Sequence, residues 1–254
     1  MNTTIERTPG NSHEGRVAVV TGAAGGFGRA ISVELARRGA DIIAVDLKPT
    51  EETVAAVEEE GRTGIALSAD ISTPDGVDGI TEEMLQLGKV DILVNNAGIF
   101  PFIDLWDLTF EQWKKTQEVN LDSQFLMVKA LMHQMRDHGW GRIVNIASNS
   151  LGLAVPGMTH YMASKGGIVG MTRALGTDLA PFGIMVNAVC PTASRTPGGE
   201  INIGPMLEDV AQMQAIKRVG VAQDIAGVVA FLTSDDCAFM TAQTLVADGG
   251  LMRV

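Results

Sequence analysis

Residues 16–28 read Arg-Val-Ala-Val-Val-Thr-Gly-Ala-Ala-Gly-Gly-Phe-Gly. The first six form a short, largely β-branched run without charge after Arg16, the pattern of a strand buried on both faces of a parallel sheet. A glycine-rich turn follows at once. Gly28 to Arg38 then places Ile31, Leu35 and Ala36 on one helical face and stops at Gly39. Glycines between a strand and a helix permit a tight turn. They also let backbone amides approach a pyrophosphate, which the helix N-terminus attracts. The spacing is Thr-Gly-x-x-x-Gly-x-Gly from Thr21 to Gly28, not Gly-x-Gly-x-x-Gly, so a glycine-rich turn without ligand remains the competing reading.

The same alternation continues along the chain. Strands are expected at 41–46, 64–68, 91–95, 142–147, 184–189 and 244–247. Helices are expected at 50–60, 74–87, 110–137 with a break near Asn120, 161–180, 206–217 and 223–233. Strands separated by helices imply a parallel sheet covered on both faces. Right-handed crossovers leave the doubly wound arrangement as the simplest topology. The fold class expected is therefore α/β, a single-domain Rossmann-like doubly wound parallel sheet. No linker or composition shift divides residues 15–254, and residues 1–14 read as a loose polar tail.

The chain has 254 residues, 46% hydrophobic and 19% charged, an ordinary globular composition. Its net charge of −11, with no lysine/arginine cluster, argues against nucleic acid and anionic membrane surfaces as partners. No apolar run approaches the ~20 residues that span a bilayer. Cys190 and Cys237 make neither a disulfide framework nor a zinc motif, so no metal is expected and a reducing cytoplasm fits best.

Polar residues recur at the carboxyl ends of the strands, where ligands bind in such sheets. Asp46 closes the second strand twenty residues after Gly26; a carboxylate there can accept both adenosine ribose hydroxyls and repel a 2′-phosphate. Leu47 follows it and no basic residue stands among Ala23 to Gly25, which favours NAD over NADP, with Lys48 as the one cation nearby. Asp70-Ile71 follows the third strand and Asn95-Asn96-Ala97-Gly98 the fourth; either could be turn chemistry alone. Ser148 closes the fifth. The only tyrosine, Tyr161, stands four residues before Lys165, on one helical face with it. A cation beside a phenol lowers its pKa and suits it to acid/base work.

Together these residues resemble the short-chain dehydrogenase/reductase family. The resemblance runs from Arg16 to Gly250 and rests on Thr21-Gly22 with Gly26 and Gly28, Asp70, Asn95-Asn96-Ala97-Gly98, Asn120, Ser148, Tyr161, Lys165 and Asp248-Gly249-Gly250. Two segments, Phe110-Glu111-Gln112-Trp113-Lys114-Lys115 and Asn120-Leu121-Asp122-Ser123, are similar to secondary-alcohol dehydrogenases of the 1-phenylethanol type. The resemblance implies Tyr161 as general acid/base and Ser148 as stabiliser of the substrate oxygen. Lys165 would bind the nicotinamide ribose and lower the tyrosine pKa, and Asn120 would hold a water linking the lysine to solvent. NAD would be held by Gly22, Gly25, Gly26, Phe27, Gly28, Asp46, Leu47, Asp70, Ile71, Asn96, Ala97, Gly98, Tyr161, Lys165, Pro191, Thr192, Ser194 and Thr196. Two departures stand out: Pro191-Thr192 where the family usually has Pro-Gly, and Ala147 where a second serine is common.

Substrate would meet Ser148, Asn149, Ser150, Leu153, Tyr161 and Thr192. The segments that build such pockets carry Phe100, Phe102, Leu151, Leu153, Met158, Met206 and Met213, with Arg195 the main cation and His160 beside Tyr161. That lining favours an apolar or aryl ketone over a charged substrate, although methionines also fill ordinary cores. An oxoacyl-thioester reductase and a sugar or steroid dehydrogenase are alternatives within the family, and a cofactor-sensing protein without catalysis is the alternative outside it. The family also implies a homotetramer built on helices around 121–135 and 161–179, with Met127, Leu131 and Met135 as a shared apolar stripe.

Overall fold

Strand β1 (Val17–Thr21) is buried at every position and runs into α1 (Gly26–Arg37), as the opening stretch implies. The computed structural model describes residues 11–252. The chain continues through β2 (Asp41–Asp46), α2 (Glu51–Glu59), β3 (Gly64–Ser68), α3 (Pro74–Met84), β4 (Ile92–Asn95) and α4 (Phe110–Gln117). After a π-helical turn, Glu118–Asp122, come α5 (Ser123–His138), β5 (Gly141–Ile146), α6 (Thr159–Leu179) and β6 (Ile184–Pro191). The last part holds β7 (Ser194–Arg195), α7 (Pro197–Ile203), α8 (Leu207–Met213), β8 (Gly220–Val221), α9 (Ala222–Leu232) and β9 (Thr244–Ala247).

Seven strands pair in parallel in the order β3-β2-β1-β4-β5-β6-β9. The order reverses between β1 and β4, so the carboxyl ends of these two strands open the crevice in which ligands sit in such sheets. Side chains alternate across the sheet. Ala18, Val20, Ile42, Ala44, Ile92 and Val94 face α1 and α9, whereas Val17, Val19, Ile43, Val45 and Leu93 face α3 and α5. Continuous apolar strands are thus explained by a core on each face.

Local chemistry sets the helix ends. Thr73 caps α3 by accepting the Gly76 N–H at 3.1 Å, with Pro74 at the first helical position. Thr109 and Gln112 close a reciprocal capping box on α4. Gly139, at φ 68°, ends α5. The expected break near Asn120 is the π-turn, the kind of helix irregularity that often accompanies a functional position.

Three expectations need correction. The Met127, Leu131 and Met135 stripe is fully buried within the chain, packed between α5 and the sheet, so it is core and not a surface for another copy. Of the tail, His13 is docked: it is buried and its Nε2 lies 2.8 Å from Thr233 Oγ1, while Asn11, Ser12 and Glu14 are exposed and residues 1–10 lie outside the described residues. The region after β6 holds one more helix, α7, and a two-strand pair, β7–β8, than periodicity suggested. Among the described residues no helix is long and apolar enough to cross a membrane.

Candidate active site

The carboxyl ends of β1, β2, β4, β5 and β6 surround a cleft of about 1100 Å³. The glycine-rich turn forms one end. Gly22 sits at φ +66°, a conformation glycine reaches without strain, and a Cβ there would stand 2.8 Å from Asn96 Nδ2. A Cβ on Gly28 would overlap the Gly22 carbonyl oxygen, so α1 packs against the turn only because Gly28 has no side chain. Asn96 locks this turn by donating from Nδ2 to Thr21 O at 2.9 Å and to Gly22 O at 3.2 Å. Gly25 precedes α1 and offers no side-chain cap, which leaves the first amides of the helix for an anion.

Asp46 lies at the cleft's edge. Its Oδ2 accepts the Ala24 N–H and its Oδ1 the Lys48 N–H, both at 3.0 Å, so the carboxylate braces the turn and faces the cleft together. Leu47 beside it is exposed. Asp70 accepts both the N–H and the hydroxyl of Ser72, at 3.0 and 2.6 Å, and the Ser72 hydroxyl holds its carboxyl below the usual range.

At the other end stand Ser148, Tyr161 and Lys165. Ser148 follows β5, and its Oγ accepts the Ser150 N–H at 3.2 Å. Tyr161 and Lys165 share one face of α6, with the ammonium 5.6 Å from the ring centroid. Lys165 is buried and donates to Ile146 O at 2.8 Å. Phe100 meets the Tyr161 ring edge-on at 6.4 Å. One edge of the tyrosine reaches the cleft, but its surroundings are densely packed. Burial pushes the phenol up to about 12, against a hydrogen-bond contribution from the Ser148 side chain that works the other way. Burial also brings Lys165 down to about 8. In the protein alone the loss of water is thus the leading influence on the phenol, with the Ser148 side chain opposing it.

Asn120 does not line the cleft. It is fully buried, accepts the Ile99 N–H on Oδ1 at 2.8 Å, and donates from Nδ2 to Ile99 O at 2.9 Å and to Ser164 Oγ at 3.0 Å. Its side chain pins the 98–99 loop against α6. A Cβ on Gly98 would stand 3.2 Å from Asn120 Oδ1 and 3.6 Å from Lys165 Nζ, so the loop passes directly over the lysine.

Apart from Gly28 and Asn120, all the expected catalytic, cofactor and substrate residues line this one cleft. Gly28 stands behind it, at the turn. Phe100, Phe102, Leu153, Met158, Met206 and Met213 line it as well, but Leu151 does not. Arg195 points elsewhere, paired with Glu200 at 3.5 Å and Glu208 at 2.9 Å. His160 is buried outside the cleft. Asn149 lines the cleft, with its amide donating to Asp248. Sequence reasoning missed Val155, Pro156, Ile203, Val210 and Leu251, which complete the wall. For α7 a signal was present: Thr196 caps it, accepting the Gly199 N–H at 3.0 Å, and Pro197 opens it. For Leu251 there was none.

The family model described as enoyl-(acyl carrier protein) reductase matches residues 22–252. An NAD-dependent glycerol dehydrogenase from Listeria innocua is 37% identical over 237 residues, covering 92% of this chain and 93% of its own. A 3-oxoacyl-[acyl-carrier-protein] reductase from Escherichia coli is 36% identical over 243 residues, covering 95% and 99%. Among solved structures, levodione reductase superposes with a TM-score of 0.88 at 33% identity, covering 93% of this chain and 97% of its own.

Proposed function

The chain belongs to the short-chain dehydrogenase/reductase family, and from that premise we propose that it is an NAD(H)-dependent oxidoreductase interconverting a secondary alcohol and its ketone, apolar or aryl, with Tyr161 as general acid/base. The observation that carries the reading is the meeting of Tyr161, Ser148 and Lys165 in a cleft whose wall includes Phe100, Phe102, Leu153, Met158 and Met206, while the other lysine lining it, Lys48, stands beside Asp46 at the far end.

The residues present fit a dinucleotide. Gly25 lines the cleft where a Cβ would enter open space, the first α1 amides would face a pyrophosphate there, and Asp46 at the cleft's edge would accept the adenosine ribose hydroxyls. Lys165, with Thr192, Ser194 and Thr196, would hold the nicotinamide end. When bound, the cofactor accepts or supplies the hydride. In the reducing direction the hydride adds to the carbonyl carbon, and the Tyr161 hydroxyl gives its proton to the oxygen as charge builds there. Ser148 donates a second hydrogen bond to the same oxygen. Oxidation requires the phenolate; the positive charge of Lys165 beside the ring favours that form. Asn120 acts by holding the 98–99 loop over the lysine.

Asp46 and the absence of a basic residue among Ala23 to Gly25 support NAD, as does the NAD dependence of the Listeria relative. The Escherichia coli relative supports a second reading, reduction of a 3-oxoacyl thioester. Initial rates with NAD(H) and NADP(H), across aryl, aliphatic, steroid and sugar alcohols and a 3-oxoacyl thioester, separate them. Fastest NAD-dependent turnover of an apolar or aryl member is expected; NADPH-dependent thioester reduction as the best activity sinks the first reading. Tyr161→Phe should lower turnover about 100-fold or more while cofactor still binds. Cofactor binding with no turnover of any member would instead indicate a sensor. The family-implied homotetramer and a cytoplasmic location belong to the same reading; sedimentation as a monomer at micromolar concentration refutes the tetramer.

A further inference from the structure

The residue after Ser148 is tied to the far end of the chain. Asn149 Nδ2 donates to Asp248 Oδ2 at 3.2 Å, across a separation of 99 positions. Asp248 is 2% exposed, and its carboxylate also accepts three backbone N–H groups: Gly250 and Leu251 on Oδ1 at 3.0 and 3.1 Å, and Met252 on Oδ2 at 2.8 Å. Gly249 and Gly250, at φ +68° and +78°, supply the reversal that lets three successive amides converge on one carboxylate. The outcome is a strap, residues 248–252, folded back from the end of β9. Leu251 lines the cleft that holds Ser148 and Tyr161. The Met252 thioether seats on Gly152, where a Cβ would overlap its sulfur.

Behind the strap lies a second cavity of about 560 Å³, lined by Gln214, Arg218, Gly249, Gly250 and Met252 among others. Thr192 borders both spaces. Asp248, Gly249, Gly250 and Met252 of the strap line that second space with Thr192, whereas Leu251 lines the cleft that holds the reacting groups. A buried carboxylate with four charge-assisted hydrogen bonds is a firm anchor, because removing one donor leaves the charge under-satisfied in a low-dielectric place. The Asn149 bond fixes that anchor to the segment carrying Ser148, so the position of the wall relative to the reacting oxygen is set by one side-chain pair.

We propose that the strap sets the length of alcohol or ketone that reaches Ser148 and Tyr161, with Leu251 as the specificity-determining contact and Asn149 and Asp248 as positioning residues. This rests on the oxidoreductase reading above. Cutting back Leu251 widens the cleft at that wall; enlarging it narrows the cleft. Discrimination per methylene in an apolar pocket is about 10- to 200-fold.

The test uses a ladder of aryl ketones with para-alkyl chains of increasing length, presented to the full chain and to Leu251→Ala, Leu251→Phe and Asn149→Ala. Ketone dissociation constants, kcat/KM and the cofactor dissociation constant are measured for each. Leu251→Ala should shift the longest-to-shortest ratio toward long members by about tenfold or more, in binding and in kcat/KM alike. Leu251→Phe should shift it the other way. Asn149→Ala should flatten the ratio while cofactor affinity stays within about twofold, a pattern that general loss of structure does not give. Should the alanine variant not fold, Leu251→Val removes a single methylene and should move the ratio in the same direction as Leu251→Ala by a smaller factor. Uniform losses along the ladder in the Leu251 variants, or no binding of any member by the unaltered protein, overturn the proposal. Binding ratios that shift in a protein that turns over no member leave the strap standing and sink the oxidoreductase reading. Turnover with unmoved ratios does the reverse.

Discussion

Raising the pH from 7 to 9.5 should stabilise the cofactor-free protein through Lys165 alone by about 2 kcal/mol, and Lys165→Met should abolish that gain. The side chain is 4% exposed, and burial brings its ammonium from 10.5 to about 8. At about 1.4 kcal/mol per pH unit, keeping the proton in the folded state costs about 3 kcal/mol at pH 7. The sign follows from the unfolded chain holding the proton more tightly than the folded one. Stability from this group is complete above 10.5 and is lost as pH falls through 8. At pH 9.5 roughly 1.4 kcal/mol of the cost remains, hence the gain of about 2. Methionine removes the charge and also the hydrogen bond to Ile146 O at 2.8 Å, and an unpaired buried carbonyl costs about 1–3 kcal/mol, so the variant's absolute stability at pH 7 changes little. The pH dependence is the clean quantity. Urea unfolding followed by circular dichroism, on both proteins at both pH values and one protein concentration, should give a difference that shifts in favour of the unaltered protein by about 2 kcal/mol as pH rises. A difference that is flat, or that moves the other way, refutes the assignment of a desolvated lysine at this site.

Gly28→Ala should weaken dinucleotide binding about tenfold or more and cost about 1–3 kcal/mol of stability, because its Cβ overlaps the Gly22 carbonyl and stands 2.8 Å from Asn96 Nδ2; fluorescence titration showing unchanged affinity contradicts the packing argument. Asp46→Ala removes the acceptor for the Ala24 and Lys48 amides and for the ribose hydroxyls. Charged hydrogen bonds of about 1.5–3 kcal/mol translate to roughly 10- to 100-fold weaker NAD binding, with a narrowed NAD/NADP ratio. A ratio that stays the same removes Asp46 from cofactor choice.

Much of the cleft was legible because its parts are local. A β-branched run followed by glycines, an acid at a strand end, and a tyrosine four residues before a lysine are short-range patterns, and periodicity placed β2 at Asp41–Asp46 and β3 at Gly64–Ser68 to the residue. The doubly wound class followed from handedness and the alternation of elements, whereas the strand order came from the pairing itself. Elements of two residues, such as β7 and β8, carry no periodicity and were invisible. The Met127, Leu131 and Met135 stripe shows the limit of pattern reading: spacing marks an apolar face, but only packing says whether the sheet or another molecule covers it.

Sequence by itself determined the class of fold, the chain's family and the residues that meet at the carboxyl edge, since each is written in neighbours a few positions apart. The tertiary structure alone decided that Asn120 clamps a loop, that Asn149 reaches Asp248, and that Tyr161 holds its proton near 12 while Lys165 falls toward 8. The physical reason is the same in each case. Hydrogen-bond partners and desolvation depend on which atoms fold against a group from distant parts of the chain, and at Tyr161 the leading influence is the loss of water.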